Sequence, residues 1–337
     1  MHSRVSCDTS EEAVPGYSSQ LCSGEFMLTS PPVNTVPVTP YCALMTDNTE
    51  AILKFAIQTT ESGVRSALVT LVDIRGGAYR ALGAQMAVAA DGRFCGYVSG
   101  GCVEAAVACE ALSALAEGLD RTVKFGDGSP FFDIVLPCSG GISVAIHVLK
   151  DSGALRHVLE RLERRQAAAL RYSPERQTLE PVEPLPRACW HERDFVTVYR
   201  PRTRVFLSGQ SIEALVFAKL ANVSGYDVVV RGQGDGAPVA ADCIDPFTAV
   251  VLLHHDLDAE AAILEAALRS PGFYIGALGS NQTHRRRVKR LTSMAFSKED
   301  IHRIKAPIGM FGPTRDATSL ALSVLADIAA ARLVAYV

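Results

Sequence analysis

Hydrophobic and polar positions follow two different rhythms in the two halves of this chain. From Glu50 the run EAILKFAIQTT places apolar residues at helical spacing, and SALVTLVDI at 66–74 is an apolar stretch of strand length. AQMAVAA and RFCGYVSG then flank Asp91-Gly92, a dipeptide that tolerates the positive φ of a tight hairpin turn. The spacing predicts a helix over 102–117, with Ser99 as its N-cap and Gly118 as its end. FFDIVLP at 131–137 and ISVAIHVL at 142–149 read as strands on either side of Cys138-Ser139-Gly140-Gly141, and ALRHVLERLERRQAAAL at 154–170 reads as a helix.

In the second half, strand and helix patterns alternate. TRVFLS, YDVVVR, FTAVVLLH and GFYIGAL have strand character, SIEALVFAKLANVSG and DAEAAILEAALRS helical character, and helices run on to the C-terminus. This order predicts a parallel sheet with crossover helices. The fold class expected is α/β: an N-terminal α+β domain rich in hairpins, then a C-terminal Rossmann-like parallel-sheet domain. Residues 1–45 mix Ser, Thr, Pro and Gly without a sustained period and are expected to be a mobile extension. The hairpin domain is expected at 46–150 and the Rossmann-like domain at 202–337. Between them lie a helix and a linker at 151–201, because 173–201 hold five prolines among mixed charges.

Composition narrows the class. The 337 residues are 48% hydrophobic and 20% charged, ordinary values for a soluble globular protein. A net charge of −3 argues against a nucleic-acid binder, which normally carries a basic excess. Nine cysteines, an odd number with no CxxC, and a start lacking signal-peptide order argue against a disulfide framework and for the cytoplasm. No run reads as apolar enough for a membrane span.

The chemistry concentrates at Ser99-Gly100-Gly101-Cys102 and Glu104. A helix N-terminus carries partial positive charge and unpaired N–H groups, and two glycines let a bulky ligand approach the backbone. Cys102 is the principal thiol, a soft ligand for a metal or sulfur species. Cys95 and Cys109 are expected in the core. Cys138, followed by glycines, is a second thiol candidate if its loop meets the first. Arg80 is a candidate for anion contact and Gln85 for an amide contact to a heterocycle.

In the second half Gly209 is the one glycine at the positions of a G-x-G-x-x-G fingerprint; Leu207 and Ile212 occupy the others, and Arg231-Gly232 replaces the ribose-binding acid. NAD(P) binding in the usual mode is therefore not expected. Gly279 and Ser280, followed by NQTHRRR, are a candidate phosphate site at a strand end. His254-His255 is a weak zinc candidate without an obvious third ligand.

Taken together, these stretches resemble the xanthine dehydrogenase accessory protein (XdhC/CoxI) family over about residues 50–335. The motif residues are Arg80, Gly83, Ala84, Met86, Asp91, Gly92 and Ser99 through Glu104, then Cys138 with Gly140-Gly141, and YRPRTRVFLSGQ, LLHHDLD, FYIGALGSNQTHRRR and APIGMFGPTRDATSLALSVLAD. Leu207-Ser208-Gly209-Gln210 departs from the family's Gly-Ala-Gly-His.

The resemblance implies a chaperone that transiently binds molybdenum cofactor (molybdopterin), supports its sulfido form and delivers it to a xanthine-dehydrogenase-like molybdoenzyme. Cys102 would then be a molybdenum ligand. A cysteine desulfurase and a second copy of the chain are further expected partners, and no residue is assigned a catalytic role. The alternative, from another class, is an NAD(P)-dependent oxidoreductase acting through the Rossmann-like domain.

Overall fold

The computed structural model describes residues 38–126, 140–231 and 243–336, so the strand expected at 131–137 and Cys138 lie outside the described residues. The first sheet is built from β1 (Tyr41–Leu44), β2 (Ser66–Arg75), β3 (Gln85–Ala89), β4 (Arg93–Gly96), β5 (Arg121–Gly126) and β6 (Gly141–Val148), with α1 (Thr49–Glu61) and α2 (Glu104–Glu117) between them. Its strand order is β1-β4-β3-β2-β6-β5. All pairs are antiparallel except β1 with β4. Strand β1 falls within the stretch expected to be a mobile extension; residues 41–44 instead pair with 93–95 along an open sheet edge.

Alternation on β2 decides what covers each face. Ala67, Val69 and Leu71 point to α2, whose Val107, Ala111 and Leu115 complete one core. Leu68 points the other way, where Ala87 and Cys95 meet α1 and the next helix in sequence. A bulge between Leu71 and Asp73 adds one residue and shifts the parity, which turns Ile74 back towards the α2 core.

That next helix is α3 (Gly153–Glu163), shorter than the sequence pattern predicts. Arg165 takes a left-handed conformation (φ 57°), and the AALRYS that follows at 168–173 becomes a strand. The proline-rich stretch, read from composition as linker, also folds as strands. β7 (Ala168–Ser173), β8 (Thr178–Val182), β9 (Cys189–His191) and β10 (Asp194–Tyr199) form an antiparallel sheet in the order β8-β7-β10-β9. Pro181 is tolerated because β8 lies on the sheet's edge. Tyr172 and Phe195 of this sheet pack on Val72 and Ala145 of the first, and Trp190 donates from Nε1 to the Val72 carbonyl at 2.8 Å.

The third sheet consists of β11 (Arg204–Ser208), β12 (Asp227–Arg231), β13 (Thr248–Leu252), β14 (Tyr274–Ala277) and β15 (Ile304–Lys305), in the order β12-β11-β13-β14-β15. Every pairing is parallel, as the alternating pattern predicts. One face packs on α4 (Ile212–Val223) and the C-terminal α8 (Ala317–Ala335) through Phe217, Ala221, Leu320, Val324 and Ile328. The other face packs on α5 (Leu257–Leu268), α6 (Asn281–Ser293) and α7 (Lys298–His302) through Leu264, Leu291 and Ile301. Contrary to the sequence reading, α8 is long and apolar enough, by length and composition, to cross a membrane; here its buried face lies on α4 and the sheet.

Candidate functional site

The Ser99–Glu104 segment is shaped from within. α2 begins at Glu104, two residues later than expected, and Ser99 is not its N-cap. Instead Glu104 folds back, 3% exposed, and its carboxylate accepts hydrogen bonds from a set of loop donors. They are the N–H groups of Val98 (3.0 Å), Ser99 (2.8 Å), Gly100 (3.2 Å), Gly101 (2.9 Å) and Val103 (3.2 Å), together with the Ser99 hydroxyl (2.8 Å). Burial alone would push this carboxyl up; the Ser99 N–H and hydroxyl and the Gly100 N–H outweigh it and hold it below its ordinary value. The donors that the sequence reading offered to an external anion are thus already taken by Glu104.

The same wrapping explains both glycines. Gly100 has φ +102°, and a Cβ there would lie 2.8 Å from Cδ1 of Tyr79. Gly101 has φ +117° and open space where a Cβ would be, so bare backbone faces outward. Cys102 follows, its side chain exposed, with its N–H donating to the Ser99 hydroxyl at 3.1 Å.

A cleft of about 500 Å³ opens beside this loop, bounded by Gly100, Gly101, Tyr79, Arg80, Tyr97 and the Met45–Asp47 corner. Arg80 reaches it with its charge partly matched: Nη1 lies 3.0 Å from Oδ2 of Asp47, a carboxylate that is itself mostly exposed. Gly140, two residues after Cys138, packs so closely under Arg75 and Gly77 that a Cβ would lie 2.5 Å from the Arg75 carbonyl oxygen. The second glycine pair therefore meets the strand exit that leads to Tyr79 and Arg80.

Three sequence candidates stand elsewhere. Gln85 is buried between the first two sheets, where Nε2 donates to the Thr70 hydroxyl at 3.0 Å; strand parity turns it away from the cleft. Gly279 and Ser280 belong to the Rossmann-like part. Ser280 caps α6 by accepting from the Thr283 N–H, and both residues line a separate cavity of about 640 Å³ with His255, Met310 and Phe311. Of the cations in NQTHRRR, Arg287 is no phosphate contact: it is 2% exposed and paired with Glu260, with Nη2 to Oε2 at 3.0 Å. His254 bonds the buried Ser208 hydroxyl through Nε2 at 2.7 Å, and no cluster of three metal-ligating side chains occurs among the described residues.

Cys95 is fully buried, and burial pushes its thiol up to about 12. Cys109, expected in the core, is exposed: the buried face of α2 runs through residues 104, 107, 108, 111, 114 and 115 and turns 109 outward. Sequence reasoning also missed Asp47 and Tyr97 in the cleft, because no motif marks Asp47 and Tyr97 reads only as a strand residue of RFCGYVSG.

Two antiparallel-rich sheets, a glycine loop beside a cleft and a parallel sheet between helices together define a mixed α/β protein with a Rossmann-like part. The XdhC and CoxI family model matches residues 59–126 and the XdhC Rossmann domain model matches residues 205–328. The molybdenum cofactor insertion chaperone PaoD of Escherichia coli K12 is 48% identical over 295 residues, covering 87% of this chain and 92% of that one. The chain belongs to the XdhC and CoxI family. The uncharacterized protein YqeB of the same organism is 24% identical over 81% of this chain and 44% of its own length. A crystal structure described as a xanthine dehydrogenase from Bacillus halodurans superposes with a TM-score of 0.63 at 20% identity, covering 84% of this chain and 96% of that one, and so shares the fold.

Proposed function

We propose that this protein binds molybdenum cofactor transiently in the cleft beside Cys102 and inserts it into a xanthine-dehydrogenase-like molybdoenzyme. The observation that carries the reading is the exposed Cys102 thiol directly after Gly101 in the chain, with the bare backbone of Gly100 and Gly101 bounding a cleft that also receives Arg80. The likeness to PaoD, a cofactor insertion chaperone covered over 92% of its length, supports it from outside the geometry.

The residues fit one end of this ligand. A thiol is a soft donor suited to a molybdenum–sulfur centre, and the Tyr79 and Tyr97 rings with the Arg80 guanidinium suit a polar heterocycle. The loop N–H groups do not fit its phosphate, because Glu104 holds them. Ser99, Gly100, Gly101 and Glu104 are accordingly proposed to shape the loop, and Cys102 and Arg80 to touch the ligand. Support of the sulfido form, contact with a cysteine desulfurase, self-association and a cytoplasmic location belong to the same reading.

The test is the pterin content of purified protein. Cys102→Ala is expected to lower copurifying or titrated molybdopterin, read as fluorescence of the oxidised pterin, at least tenfold with an unchanged melting temperature. Undiminished pterin in a folded variant would remove Cys102 from the site.

A further inference from the structure

A second cleft, of about 420 Å³, lies where the 47–49 corner, the chain leaving β10 and the Rossmann-like part meet. Its walls carry three guanidinium groups, from Arg200, Arg202 and Arg332, beside the hydroxyl-bearing Thr203, Tyr226 and Tyr336. None of the three arginines has a carboxylate within ion-pair distance among the described residues. The acids of the neighbouring strands are already taken: Asp227 by Arg204 at 2.8 Å, and Asp245 by Arg165. The single acid in the lining, Asp47, faces Arg80 of the other cleft.

The hydrogen bonds of these arginines go to neutral carbonyls, which orient a guanidinium without cancelling its charge. Arg202 donates from Nη2 to Gly225 at 2.7 Å, and Arg200 donates to Tyr336 at 3.0 Å and to Pro186. Aromatic faces hold two of them further: Arg200 lies 5.1 Å from the centre of the Tyr336 ring and Arg332 lies 5.9 Å from that of Tyr226. Oriented, uncompensated guanidinium groups in a concave site match the oxygens of a phosphate, which accept paired N–H donors. The cleft's volume falls in the range of small-molecule sites.

We propose that this arginine cleft is a binding site for a phosphate or diphosphate group carried by a small molecule. It does not depend on the reading of the Cys102 cleft. Two sources share this chemistry: the phosphate end of the ligand seated across Asp47 in the first cleft, or a separate phosphorylated ligand.

The probe is inorganic pyrophosphate titrated calorimetrically into the full chain. Saturable binding with a stoichiometry of one is expected, weakened at least tenfold by Arg332→Gln and abolished by Arg332→Glu. Arg332 is the position of choice because Arg200 also braces two backbone carbonyls, and circular dichroism with melting confirms that each variant is folded. Absence of saturable binding, or equal binding by the wild type and both Arg332 variants, overturns the proposal. Repeating the titration on molybdopterin-loaded protein separates the sources: competition assigns the phosphate to the cofactor itself, and simultaneous binding assigns it to a second ligand. Cys102→Ala is expected to keep pyrophosphate binding, so failure of the cofactor reading and failure of this one give different results.

Discussion

Glu104 does for its loop what a bound anion does elsewhere. Its carboxylate gathers five backbone N–H groups and a hydroxyl at the head of α2, and so stabilises two glycines with positive φ and an exposed thiol in one conformation. Glu104→Gln leaves one acceptor where there were two and turns an amide N–H₂ towards backbone donors. A loss of about 2–4 kcal/mol is expected, since hydrogen bonds to a charged group are stronger than neutral ones and an unmet buried donor costs its desolvation. The pH dependence has a definite sign. The folded carboxyl sits below its ordinary value, so its contribution is complete above the usual carboxylate range and is lost as pH falls through the lower folded value. Urea melts at pH 7 should show the full gap between wild type and Glu104→Gln, and the gap should shrink below about pH 4. The sequence placed the motif correctly but assigned its donors to a ligand, because nothing in a linear motif tells whether a glutamate two residues past a cysteine points outward or back.

At the level of elements, the misread positions share a cause. Ala-rich sequence after α3 has high helix propensity, yet Arg165 leaves the helix to pair with Asp245, and Ala168 and Ala169 join β7. Prolines suggested a linker, yet an edge strand accommodates Pro181. Cys109 was expected in the core because cysteine is commonly buried, yet the face of α2 is fixed by a helix that begins at Glu104 and turns residue 109 outward. By contrast, β2, the β3–β4 hairpin and the parallel strands were legible, since their patterns match the period of the elements they form. One contact between elements escapes any pattern: the buried Glu260–Arg287 pair that ties α5 to α6. Removing one partner, as in Arg287→Ala, leaves a buried charge and is expected to cost about 3–5 kcal/mol. Glu260→Leu combined with Arg287→Met should recover most of that loss. Chemical denaturation of Arg287→Ala and of the double variant measures both.

Across the whole molecule, the Rossmann-like part is braced to the sheets by Arg165, whose guanidinium also donates to the Arg202 carbonyl at 3.0 Å and lies 3.7 Å from Asp227. Arg165→Ala is expected to lower stability by about 2–3 kcal/mol, as the loss of a half-buried charged network. It should also split a single calorimetric transition into two, because the third sheet keeps its own two cores. A sharp single transition at unchanged temperature would show that other contacts carry the coupling. The division into a hairpin half and a parallel half was readable from rhythm alone, whereas the intervening antiparallel sheet and the braces between sheets depend on tertiary partners far apart in sequence.

Asp47 stands on the wall of both clefts and holds Arg80 on one side. An anion that draws Arg80 away frees a carboxylate beside three arginines, and an anion among those arginines competes for the same field. Occupancy of one cleft must then change affinity in the other, and thermodynamic reciprocity makes the factor identical in both directions. Under the two binding proposals, loading and release are linked through one side chain, and Asp47→Asn is expected to remove the difference in pyrophosphate affinity between empty and cofactor-loaded protein while leaving each cleft in place.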